Sequence, residues 1–159
     1  MSDDKVAQIN RLKSLITNNS SQISSLSNSI TNMERAHDSL IQFRRSVVST
    51  QESVNSITHN QNQYLSPVKA LSNVNNSAKK YGNGMSNTLS GVGTRIVGYA
   101  LIGLLLKIDV KLNSYKTSIS NANNTINQLQ SQSAGHNTAI KRLEKQIKEE
   151  QEAKTWVIV

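Results

Sequence analysis

The chain has three histidines, ten carboxylates and seven glycines with which to do chemistry, and no cysteine. Glu34 and His37 stand three apart, the spacing at which one helix offers a carboxylate and an imidazole to a pair of metal ions. Such a centre needs a second Glu-Xaa-Xaa-His pair and facing carboxylates, and the sequence contains neither. The pair therefore reads as a surface Glu beside a histidine on a packed helix face. No His-Glu-Xaa-Xaa-His zinc pattern occurs, and no Gly-Xaa-Ser-Xaa-Gly nucleophile turn. Gly82, Gly84, Gly91 and Gly93 lack the Lys-Ser/Thr that completes a phosphate loop. These patterns point away from an enzyme and call for no cofactor and no metal.

What the sequence offers instead is a surface for binding. The stretch GVGTRIVGYALIGLLLKIDV, residues 91–110, holds eleven consecutive residues between Arg95 and Lys107 with no charge, Asn or Gln. Elsewhere Asn and Ser are abundant, and only 36% of the chain is apolar. A membrane-spanning helix needs about 20 such residues, so no ordinary transmembrane helix is expected. Ile96, Tyr99, Ile102 and Leu106 follow a 3, 3, 4 spacing that sets them on one side of a helix. Gly98 and Gly103 permit close approach of another backbone. These six residues are the expected partner-binding surface.

Charge favours the same place. The chain carries a net +8, and residues 63–107 contain Lys69, Lys79, Lys80, Arg95 and Lys107 without one acid. An acidic partner or an anionic surface would be drawn there. Nucleic acid is not expected, because no aromatic residues interleave with a basic cluster and no reading motif is present. Trp156, in the apolar end Trp-Val-Ile-Val, is a second candidate contact. The alternative for that end is simple fraying.

Two long elements must hold this surface. Ile9, Leu12, Ile16, Asn19, Ile23, Leu26, Ile30, Met33, His37 and Leu40 step by 3 and 4 without a slip, a heptad seam. The pattern loosens through Phe43, Val47, Val54 and Ile57, and Pro67 disfavours helix before it, so the first long helix is expected over 1–63. Ile108, Leu112, Tyr115, Ile119, Ala122, Ile126, Leu129, Ser133, His136, Ile140, Leu143 and Ile147 form a second seam, continued upstream by Leu105, Leu101 and Val97. This second helix is expected over 94–152, from an N-cap at Thr94, with a weak point at Ser133-Ala134-Gly135 and a tail over 153–159. Between them, 66–93 should hold a short helix, 67–81, interrupted by Gly82 and Gly84, and a Gly-rich connector.

The fold class that follows is all-α: a long antiparallel, coiled-coil-like helical hairpin with a short Gly-interrupted segment between its arms, as a single elongated domain over 1–159. If paired positions sum to about 155, Asn19 lies near His136 and His37 near Ile119 and Ala122. Polar residues buried in such a seam fix its register.

The Ile/Leu heptads at both ends, the Gly-rich middle and the Ser/Asn-rich amphipathic segments SLSNSI and KTSISNANNTINQLQ together resemble one family. This is the LXG-toxin-associated α-helical (Lap) proteins of Gram-positive type VII secretion systems, relatives of the Trp-Xaa-Gly helical hairpins. The acidic and polar start MSDDKVAQIN, which is no Sec-type signal, fits the same setting. The resemblance spans nearly the whole chain and rests on pattern. It implies a chaperone-like helper that binds the helical N-terminal domain of an LXG-type toxin, with a second small helical helper as a further partner. The helper would be cytoplasmic before export and leave by the type VII route. The chain departs from the family's motifs: Trp156 precedes Val157 and Ile158 rather than a Gly, and no Tyr is followed four places on by Asp or Glu. An export signal is accordingly expected on the partner, and no functional residue carries over. Two other readings stand beside it: a membrane-active hairpin with residues 91–106 as its apolar head, and a coiled-coil scaffold.

Overall fold

The computed structural model of the chain describes residues 2–70, 76–89 and 91–156, and all of these except Gly91 are helical. Helix α1 spans Ser2–Ala70, α2 spans Asn76–Leu89 and α3 spans Val92–Trp156. The two long helices pack against each other, so the fold is the expected all-α helical hairpin.

The helices end at different places from those the sequence suggests. α1 runs through Pro67 instead of stopping near 63. A proline inside a helix removes one i→i−4 hydrogen bond and crowds the carbonyl of Gln63, but bonds on either side remain. Leu65, only 5% exposed, anchors this turn from within. The short helix is α2, not 67–81, and it crosses Gly82 and Gly84 without any positive-φ glycine. Each glycine costs a helix about 1 kcal/mol relative to Ala, which here is not enough to stop it. Leu71 and Val74, expected on the short helix, lie outside the described residues. α3 begins two residues before Thr94, runs unbroken through Ser133-Ala134-Gly135 and ends at Trp156.

A bend at Gly91 separates α2 from α3. A Cβ there would lie 2.3 Å from the backbone oxygen of Asn87, so only glycine fits the turn. The Arg95 amide donates to the Gly91 carbonyl, closing the first turn of α3.

The chain divides into two compact units. The first joins Met1–Arg35 to Lys116–Val159. Ile9, Ile30, Ala122, Leu129 and Ile140 are its most buried apolar residues, and all fall on the heptad positions. Asn19 is buried among them. Its Nδ2 donates to the Ser133 hydroxyl at 3.1 Å and to the Leu129 carbonyl at 3.5 Å. Asn19 thus finds Ser133, one helical turn before the expected His136. Lys5 and Glu150 pair near the other end of this unit.

The second unit is Ala36–Tyr115. Here the seam on α1 does not loosen; it turns polar. The shielded row is His37, Leu40, Arg44, Val47, Gln51, Val54, Thr58 and Leu65, flanked by half-buried Ala36, Ile41 and Val48. The step of 3 and 4 holds through Thr58, and Leu65 lies one heptad beyond it. Phe43 and Ile57 are instead 49% and 56% exposed. On α3 the shielded row is Gly98, Leu101, Leu105, Ile108 and Leu112. Val97 is 45% exposed and does not belong to it.

No large side chain among the described residues is fully buried. A seam between two helices shields each Ile or Leu on the packed side only, and each contributes at most about 1.5–3 kcal/mol.

Candidate functional site

The residues expected to bind a partner lie on α3, in the second unit. Ile96 is 59% exposed, Tyr99 72%, Ile102 46% and Leu106 63%. α3 turns Gly98, Leu101, Leu105 and Ile108 toward α1, and this leaves Ile96, Tyr99, Ile102 and Leu106 on its outer side. Val110, 70% exposed, extends the same side by one turn; the apolar-run criterion missed it because Lys107 and Asp109 intervene. Gly98 and Gly103 are half-buried, and among the described residues a Cβ on either would meet no atom within 4 Å beyond its own stretch of helix. Trp156 closes α3; its side chain lies outside the described residues, as do Val157, Ile158 and Val159.

The charges around this face are unequal. Lys107 and Arg95 are exposed. Lys111 lies over the Tyr115 ring, 4.8 Å from its centre, a cation–π contact. Asp109 accepts from Arg44 Nε at 2.7 Å and from the second guanidinium nitrogen at 3.4 Å. This hydrogen-bonded pair joins α1 to α3 inside the unit. The Arg44 hydrogen bond holds the Asp109 carboxyl below its ordinary value of 3.8, and Asp109 in turn raises Arg44. Sequence reasoning missed the pair because Arg44 occupies a heptad position where an apolar residue was sought.

The remaining chemistry-bearing residues do not converge. His37 sits in the α1 seam with Nδ1 3.4 Å from Asp38 Oδ1. Its Nε2 is buried without a hydrogen-bond partner. Glu34 makes no site with it. His59 Nε2 meets Gln63 Nε2 one turn along the exposed side of α1. Among the described residues, no three His, Cys, Asp or Glu come together in a way that could hold a metal ion. A shallow, open depression against Ser49, Glu52, Ser53, Ser56 and Ile57 of α1 lacks the enclosure a small-molecule site needs. No described helix is long and apolar enough to cross a membrane.

The second unit concentrates the exposed apolar side chains. Phe43, Ile57, Tyr64, Tyr81, Met85, Val97 and the α3 face belong to it, against Val6 and Leu15 in the first unit. Scattered single residues of this kind are ordinary, whereas a contiguous row is the mark of a binding surface.

The chain matches no protein-family description, no curated protein and no solved structure.

Proposed function

We propose that this protein is a non-enzymatic, chaperone-like helper that binds the helical N-terminal domain of a secreted LXG-type toxin and supports its type VII export. The observation that carries the reading is the exposed row Ile96, Tyr99, Ile102 and Leu106 on a helix whose opposite side is already packed. Burying such side chains is worth about 1.5–3 kcal/mol each, which suits a second amphipathic helix laid along α3. Arg95 and Lys107 would steer an acidic helix to that face. Trp156 is a second contact in this reading, and a further small helical helper can share the assembly. The protein would act in the cytoplasm of a Gram-positive bacterium before export.

Lipid is the second reading, favoured by the exposure of Tyr64, Tyr81 and Tyr99 together with the surrounding basic residues, since Tyr suits a membrane interface. Co-expression with an LXG toxin domain from the same genome, followed by affinity purification of the toxin domain, separates the two. The helper reading predicts a stable co-purified complex. No complex, but binding to anionic vesicles, would contradict it.

A further inference from the structure

Five residues on the outer side of α3, Ile96, Tyr99, Gly103, Leu106 and Val110, step by 3, 4, 3 and 4. That is a heptad seam in its own right, and the four with side chains are 59–72% exposed. The inner seam of the same helix, Gly98 to Leu112, has the same spacing and faces α1. A seam pattern on an exposed face is a helix-packing surface open to another helix. At 1.5 Å per residue it is about 21 Å long.

The edge of this outer seam says which helix. Arg95, Ile102 and Asp109 are seven residues apart and so lie in one row along it. A two-fold axis at Ile102, perpendicular to the helix and one residue from Gly103, sets a second copy antiparallel. Ile102 then meets Ile102 of the second copy, and each Arg95 faces Asp109 of the other chain. The row is complementary to itself, as a two-fold interface requires.

Arg95 has no ion-pair partner among the described residues. The Asp109 side chain is 45% exposed with Arg44 on one side of it, and a carboxylate has lone pairs for both cations. Gly103 falls at the crossing point. Inside a helix glycine is destabilising relative to Ala, and among the described residues no atom beyond its own stretch of helix comes within 4 Å of where its Cβ would stand. Nothing among the described residues requires glycine there, whereas a close helix crossing does.

We infer that two copies of this chain associate through the outer seam of α3, antiparallel and crossing at Gly103. The face is the one assigned above to a partner, but the inference does not depend on that assignment, because it concerns the isolated protein. In the absence of a partner, self-pairing would cover the apolar row, and partner binding would separate the copies.

Sedimentation velocity on the isolated full-length chain tests it. A seam this short buries less than the roughly 1,200 Å² of a standard interface, so a monomer–dimer shift is expected between about 1 and about 100 µM. Gly103→Leu should leave the protein monomeric throughout that range without lowering its melting temperature. Arg95→Asp, which sets like charges against each other twice, should weaken the dimer by at least about tenfold. A wild-type protein that stays monomeric at every concentration overturns the inference, whether or not it sediments with phosphatidylglycerol vesicles. So does a Gly103→Leu variant that dimerises as the wild type does. Neither result touches binding of a toxin domain, which is measured separately by co-purification.

Discussion

His37 and Arg44 occupy equivalent kinds of position on α1, and their surroundings treat them differently. Arg44 places its guanidinium on Asp109, whereas the His37 side chain, 17% exposed, leaves Nε2 buried and unpaired. An unsatisfied buried polar atom costs about 1–3 kcal/mol. His37→Leu should therefore raise the melting temperature by at least about 2–4 °C, the shift expected per kcal/mol for a chain of this size, read by circular dichroism at neutral pH. A lower melting temperature would mean that the imidazole is needed where it is. The Arg44–Asp109 pair has a pH signature. Because the folded Asp109 carboxyl lies below its ordinary 3.8, its contribution is present above that value and is lost as pH falls through the lower folded one. The melting-temperature gap between wild type and Arg44→Ala should be open at pH 7 and close in strong acid. A gap independent of pH would remove the pair from the account.

At the scale of the helices, the apolar heptads made the hairpin legible. Ile9 to Leu40 and Ile108 to Ile147 allow one fold class, and their faces are the ones that become shielded. The second unit was harder to read because its seam runs through Arg44, Gln51 and Thr58, polar residues that packing alone identifies. Phe43 and Ile57 drew the periodicity away from the true phase by one residue. The contrast is testable: Val47→Asp should cost several kcal/mol by burying an unpaired carboxylate, while Phe43→Asp should shift stability by less than about 0.5 kcal/mol. Chemical denaturation of both variants checks this, and equal losses would refute the phase assigned here. Pro67, Gly82 and Gly84 were read as breakers, yet each loses only local bonds or entropy, and the helix on either side absorbs that loss. The exposed apolar row on α3 was legible for a related reason: a helix apolar on two sides cannot be covered by one neighbour. Val110 and the charge row Arg95, Ile102, Asp109 emerged only once the inner seam was fixed.

For the molecule as a whole, the two faces of α3 differ. The inner face packs on α1, and the outer face is exposed and is the face proposed for another chain. Under the proposed function the basic residues of 63–107 would attract that chain rather than stabilise the fold, so binding should weaken steeply with added salt while the melting temperature changes little. The most direct test is Ile102→Asp, compared with wild type by circular dichroism and by titration calorimetry against the LXG-type toxin domain. The account predicts an unchanged helical signal and melting temperature, with affinity reduced at least about tenfold, the equivalent of about 1.4 kcal/mol. If Ile102→Asp unfolds the isolated chain, or binds the toxin domain as tightly as wild type, the outer face of α3 is not the partner site.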